Sequence, residues 1–459
     1  MLKLNRCHII TALLMSGCLG TMALPVHGET LQDALRAGLV NSETLAAARQ
    51  GWVASREAIG SQSRTSDLSA SFGVTGNSTE TDNMDGAGYD QSSYTAASIS
   101  LSKNIYDGGQ TKQKTKLAEL ELDGAGASYI KTEQTVILDT VEAYLNVIKA
   151  TREAKLLAAN LKRLDAHVNA AQIRVDAGAT TPTRLAEARA RFARAKSDEI
   201  LAQTRLSNAN DAYQSLTGAM AGAFETPAII QGLPIDILDA ETIARDSHPD
   251  MLAGLAQERA AEQNFNTLKA SVSPTLALSL TATSKTGSTS TLERDDVAAN
   301  LVFSTPILST NATRATARGV AARYEQAKLQ RRNALRTVEL GARQAFRNWQ
   351  TSGTRLEAVL SEIEALNLVA KGIASEAQFG QKTTLDLLDA EQDVSDAELR
   401  LVTAEHNQLI AAFRLQAAVG RLTAAAMGLD DVMADLENMP VPADPFSSSF
   451  PFGRIKTGN

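Results

Sequence analysis

The sequence predicts an α+β chain built twice over, each copy holding a first helix, an antiparallel pair of amphipathic strands and a long helical hairpin. Three observations predict it: the chain repeats itself at an offset of 202, each copy carries two period-two stretches, and each continues into a very long helical pattern. "GATTPTRLAEARARFARAKSD" from Gly178 lies over "GQKTTLDLLDAEQDVSDAELR" from Gly380, and "EAYLNV" from Glu142 over "QAFRNW" from Gln344. Upstream, "NSETL" from Asn41 matches "HPDML" from His248 at an offset of 207, so the register changes inside the strand-bearing interval.

The first 28 residues read as an export signal, with Lys3 and Arg6 before an apolar run and "VHG" before Glu29. The competing reading cuts at "MSGC" and leaves Cys18 as a lipidated N-terminus. Both cysteines precede Glu29, so a chain cut there has no disulfide chemistry. An acidic balance of −7 argues against nucleic acid as a partner. Aromatic residues are only 4% of the chain, which disfavours a large compact core and suits close-packed, alanine-rich helices.

A first helix is expected over about residues 31–62 and again over 240–270. Leu68, Ala70, Phe72 and Val74, then Ala97, Ile99 and Leu101, alternate with small polar residues; Leu276, Leu278 and Leu280, then Val297, Ala299, Leu301 and Phe303, repeat the pattern. Strands of about ten such residues fit a barrel with lipid outside and water inside, or an ordinary half-buried sheet. Polar loops, "NSTETDNMDGAGYDQSS" and "SKTGSTSTLERDD", separate the strands of each pair. The long helix that follows, about Thr111 to Ala177, lacks proline and would reach roughly 100 Å. Heptads through Leu157, Leu161, Leu164, Val168, Ala171 and Val175, copied at Val359, Ile363, Leu366, Ala370, Ile373 and Ala377, predict a coiled-coil seam with the returning helix. Gly178 and Gly380 mark the turns.

Four strands cannot enclose a usable lumen, and a membrane tolerates no unpaired strand edge. About twelve strands from three chains is the smallest reasonable closed solution. At the junctions, Asp107, Gly108 and Gly109 permit a sharp change from strand to helix, and Pro306 stops strand continuation in the second copy, where Ser309, Thr310 and Asn311 replace the Asp-Gly-Gly. The expected organisation is a signal at 1–28, a first repeat at 29–217, an equatorial linker at 218–239, a second repeat at 240–420, and an equatorial and C-terminal tail at 421–459 that is partly disordered.

In these motifs the chain resembles the TolC family of outer-membrane channel proteins. The resemblance rests on "SKNIYDGGQTKQK", "STPILSTNATRA", "GLPIDILDAETIARDSHPDML" and their duplicated order, and runs from Glu29 to Leu429. It implies a homotrimer in outer-membrane lipid, with a 12-stranded barrel and an α-helical periplasmic tunnel. It also implies a periplasmic adaptor (membrane fusion) protein and an inner-membrane transporter, ABC or proton-driven, docked to that tunnel. The hairpin tips at Gly178, Ala179, Gly380 and Gln381 are where an adaptor would meet it. Asp386 and Asp389 match the family's paired gate aspartates, and Thr183 a gate threonine. Lys382 and Ala377 replace an arginine and a tyrosine, and Arg184 stands where an acid is expected.

Asp386, Asp389, Asp393 and Asp396 also share one helix face, and the offset takes them to Arg184, Glu187, Arg191 and Arg194. One reading is two solvated faces; the sharper one is an ionic lock between the copies near the entrance. The resemblance implies that Asp386 and Asp389 of three chains form rings at the periplasmic entrance, where like charges would raise some carboxylate pKa values. His167, His248 and His406 are scattered, and neither a phosphate loop nor GxSxG occurs, so neither enzyme nor metal or cofactor chemistry is expected. A soluble adaptor or adhesin would explain the heptads but not the four duplicated strands.

Overall fold

The computed structural model describes residues 29–64, 67–83, 88–287, 293–307 and 311–429. The export signal with Cys18, the tail after Leu429, and Ser309 and Thr310 lie outside the described residues. Where one first helix was expected, there are two in each copy: α1 (Leu31–Asn41) with α2 (Glu43–Ser63), and α5 (Ile237–Ser247) with α6 (Pro249–Ser271). Ser42 breaks the first because its side chain accepts from the Leu45 amide, and Pro249 breaks the second by holding His248 extended.

These caps also correct the repeat. Ser42 corresponds to His248, and buried Leu45 to buried Met251, so the upstream offset is 206 rather than 207. The Leu-to-Leu match at 207 pairs a core residue with Leu252, which is exposed. The offset returns to 202 between the strands of the hairpin, because Ser69 opposes Ser102 in one copy and Thr275 opposes Ser304 in the other.

The strands are β1 (Ser69–Asn83), β2 (Gly88–Tyr106), β3 (Thr275–Gly287) and β4 (Arg294–Ser304), an antiparallel sheet in sequence order. β1 with 15 residues and β2 with 19 well exceed the expected ten. The β1–β2 ladder runs to Asn83 opposite Gly88, through much of the segment expected to be a loop. Backbone pairing needs no apolar side chain once register is set, so polarity did not reveal where the hairpin ends. Across the sheet, Ala70, Leu101, Leu280 and Ala299 lie in one row, and Phe72, Ile99, Ala282 and Val297 in the next. Residues directly opposite share a face, so the apolar positions of all four strands form one face. On the other face Ser69 and Ser102 hydroxyls meet at 2.6 Å, and Ser100 lies 3.4 Å from Thr281.

Below the sheet, α3 (Gln110–Asp176) returns as α4 (Pro182–Thr217), and α7 (Asn311–Gln378) as α8 (Thr384–Ala418). The helices keep the order of the strands: α2 packs on α3, α3 on α6, and α6 on α7. The main core sits midway down, where α1, the start of α2, α3, the ends of α4 and α8 and the segment after α8 meet around Leu35, Leu45, Ile137, Tyr144, Tyr213, Phe413 and Leu422. Each buried leucine there contributes about 1.5–3 kcal/mol. Tyr144 also donates to the Glu29 and Glu225 carbonyls, each at 2.7 Å, and so ties Glu29 to the segment after α4. Burial pushes its phenol up to about 12, which keeps it a donor. No helix among the described residues is long and apolar enough to cross a membrane.

Candidate functional site

At the end farthest from the sheet, each hairpin turns on a left-handed glycine, Gly178 at φ 69° and Gly380 at φ 73°. Ala179 donates to the Arg174 carbonyl at 2.8 Å, and Gln381 to Glu376 at 2.9 Å. With the three-residue bonds from the Gly178 amide to the Val175 carbonyl and the Gly380 amide to the Ala377 carbonyl, each turn closes as a Schellman motif. A Cβ at either glycine would meet nothing within 4 Å, so the backbone angle, not space, calls for glycine.

The two returning helices start differently. Thr181 makes no side-chain cap and relies on Pro182 at the first helical position. Thr383 forms a full capping box with Asp386: its amide and hydroxyl each bond Asp386 Oδ2 at 2.8 Å, and the Asp386 amide donates to Thr383 Oγ1 at 3.2 Å. These bonds, then the charges of Lys382 and Arg184, hold the Asp386 carboxyl below the usual range. Within one chain the capping bonds favour the ionised form, which is separate from the repulsion expected where carboxylates of three chains gather.

The acidic face meets the basic one inside the same chain. Asp389 Oδ1 accepts from Arg191 Nη2 at 2.6 Å. Asp396 accepts from Gln392 at 2.8 Å and lines a cleft of about 560 Å³ with Arg191, Arg194 and Asp198, between α3, α4 and α8. Asp393 is exposed, and Thr183 and Arg184 are exposed on the first turn of α4. So the structure brings Asp386, Asp389 and Asp396 near the arginines of the first copy and leaves Asp393 outside.

Sequence reading missed a second set of contacts behind this row. Glu391 Oε2 lies 3.0 Å from His167 Nε2 and 3.5 Å from Arg163 Nε, and Arg174 donates to Thr384 Oγ1 at 3.0 Å. The His167 bond, with the charges beside it, holds the Glu391 carboxyl below its ordinary value. The available signal was weak: Arg163 and His167 are four apart on α3, flanking the seam residue Leu164.

At the sheet end, Asp107 caps α3 by accepting from the Gly109 amide at 2.9 Å and the Thr111 amide at 2.6 Å. Gly108 and Gly109 are both left-handed, at φ 67° and 80°. A Cβ on Gly108 would also come within 2.5 Å of Ser273 Cβ, so this glycine is needed for space as well. Pro306 stands in the unpaired link between β4 and α7. Among the described residues no group of His, Cys, Asp or Glu could hold a metal ion.

A model of the outer membrane efflux protein family matches residues 34–219 and 242–421, one segment for each copy. Outer membrane efflux protein BepC of Brucella suis is 26% identical over 92% of this chain and 91% of its own length. Outer membrane protein TolC of Escherichia coli is 25% identical, covering 72% of this chain and 70% of its own. Among solved structures, the CmeC outer membrane channel of Campylobacter jejuni superposes with a TM-score of 0.75 at 15% identity, covering 88% of this chain and 89% of its own, and a membrane protein from Pseudomonas aeruginosa with 0.76 at 18%, covering 89% and 92%. Duplicated helical hairpins, a four-stranded sheet apolar on one face and two matched segments thus lead to one conclusion: the chain belongs to the outer membrane efflux protein family, as a TolC-like, non-enzymatic channel of the outer membrane with its helices in the periplasm.

Proposed function

We propose that this protein is the exit duct of a tripartite efflux or type I secretion system, and that it works as a homotrimer whose three sheets close a 12-stranded barrel. The observation that carries the reading is the sheet: β1 and β4 are its edges, and one face is apolar through all four strands. A membrane forbids such open edges, and pairing β4 of one chain with β1 of the next removes them. The helices, ordered like the strands, then continue the barrel as a tunnel. A periplasmic adaptor meets the tips at Gly178, Ala179, Gly380 and Gln381, and an inner-membrane transporter supplies the energy, since the duct itself only conducts.

In this reading Asp386 and Asp389 line the periplasmic entrance, with Lys382, Thr183 and Arg184 beside them. The Arg191–Asp389 pair and the Glu391 cluster hold α8 against α3 and α4 and favour the closed arrangement. Toxic compounds are the cargo that the names of the relatives favour; secreted proteins are the second class. A deletion strain separates the two. Sensitivity to bile salts, dyes and detergents supports efflux, whereas a changed secretome without sensitivity supports protein export. A protein recovered as a soluble periplasmic monomer would defeat the duct reading altogether.

A further inference from the structure

The starts of β1 and β3 and the ends of β2 and β4, which follow or precede the helices α2, α6, α3 and α7 in the chain, lie at one end of the sheet. Charge there is one-sided. Arg64 follows α2, Lys269 stands in the last turn of α6, Lys112, Lys114 and Lys116 occupy the first two turns of α3, and Arg314 and Arg318 those of α7. The carboxylates of the same stretch are Asp67 and Asp107, and Asp107 is engaged by the amides it caps. Lys114 is held by Gln110 at 3.2 Å; the other six cations are exposed and form no ion pair among the described residues. The N-termini of α3 and α7 add partial positive charge.

A second observation connects these cations to the apolar face. The last row of that face is Tyr106, Leu276 and Phe303, and the row before it is Lys103, Leu278 and Leu301. Tyr106 and Phe303 are 55% and 65% exposed, as a membrane-interface aromatic girdle would be. Lys103 shares their face, and its stem can run along the apolar surface while the ammonium reaches the interface.

We propose that this collar binds the phosphodiester headgroups of anionic glycerophospholipids in the leaflet on the helix side of the membrane. The inference rests on the sheet spanning that membrane. A free phosphate would satisfy the cations alone, but the girdle and Lys103 continue the collar onto a surface that fits acyl chains, so a lipid is the occupant. Basic clusters beside a membrane segment attract anionic headgroups additively, and salt weakens them.

The test exchanges the purified full-length protein into detergent micelles containing equal phosphatidylglycerol and phosphatidylcholine, and measures retained lipid by mass spectrometry. The wild type should retain phosphatidylglycerol at least about fivefold over phosphatidylcholine, with the preference falling as salt is raised. Lys112→Gln, Lys116→Gln, Arg314→Gln and Arg318→Gln combined should bring it down to parity; Arg355→Gln with Lys371→Gln, far down α7, should leave it unchanged. Should the fourfold variant fail to fold, Lys103→Gln and the salt series on the wild type still decide. Equal retention by the wild type, or a preference that survives the fourfold change, overturns the proposal. If the fourfold variant instead alters only channel conductance, the cations line the lumen and the proposal is wrong. A wild type that enters no bilayer would refute the channel reading itself, which is a distinct outcome.

Discussion

Asp386 carries two duties on one carboxylate: it completes the cap of α8, and the proposed gate needs it charged. The two agree, because the amide and hydroxyl bonds that cap the helix also favour the anion. Its pKa is lowered on folding, so the stabilisation is complete above its unfolded value near 3.8 and is lost as pH falls through the folded value. Glu391 follows the same sign from 4.5 downward, held by His167. Limited proteolysis at the hairpin tips should therefore be slow at neutral pH and accelerate below about pH 4, and Asp386→Ala should bring fast cleavage at neutral pH. Cleavage independent of pH in the wild type would mean that the cap does not hold the tip. The sequence displayed Asp386 as one member of a charged face. The spacing Thr383-x-x-Asp386 is itself a capping-box pattern, but a charged gate asks for an acid at the same position, so the pattern alone does not say which duty the carboxylate serves.

Elements were legible where one periodicity governed several residues at once. The alternation at Phe72, Ile99, Leu280 and Leu301 placed both strand pairs and their apolar face, and the heptads through Leu164 and Val359 placed the helical hairpins. Three features escaped the pattern: the break at His248, which Pro249 signals but the helical periodicity on either side of it masked, the one-residue shift of the upstream repeat, and the polar end of the β1–β2 ladder. The apolar face gives a sharp test. Leu101→Arg or Leu278→Arg should impair membrane assembly, at a cost of about 2–4 kcal/mol near the bilayer midplane, while Ser100→Arg on the opposite face should assemble. Equal behaviour in a heat-modifiability assay would place the sheet outside lipid. Glycines at helix ends offer a second comparison. Gly380 and Gly420 are both left-handed, at φ 73° and 78°, but a Cβ on Gly420 would come within 2.5 Å of His248 Cα, whereas one on Gly380 meets nothing within 4 Å. Gly380→Ala should cost about 1–2 kcal/mol of local stability, and Gly420→Ala more, because rigid backbone must also move. Equal shifts in thermal midpoint would mean that the α8 end can separate from α6 without cost.

At the scale of the whole channel, the carboxylates matter only if three chains bring them round one narrow passage. Each chain already balances part of its charge, since Asp389 pairs with Arg191, but Asp389 is exposed and Arg191 only half-buried, so the pair is worth at most about 1 kcal/mol. It can therefore exchange for passing cations. Trimers in a planar bilayer should prefer cations, and multivalent cations added on the periplasmic side should block current by bridging carboxylates of different chains. Asp386→Ala with Asp389→Ala should relieve the block and weaken the preference while the trimer persists. Asp393 has a different meaning, because it is exposed and forms no ion pair among the described residues, although pairs from α8 to the first copy occur on both sides of it, at Asp389 and at Glu405. If the constriction is confined to the tip, Asp393→Ala should have the smaller effect; if the acidic face lines the passage further up, it should match the double variant. A double variant with unchanged selectivity and block would reduce these aspartates to a helix cap and one surface ion pair, and the entrance would have to be narrowed by other residues.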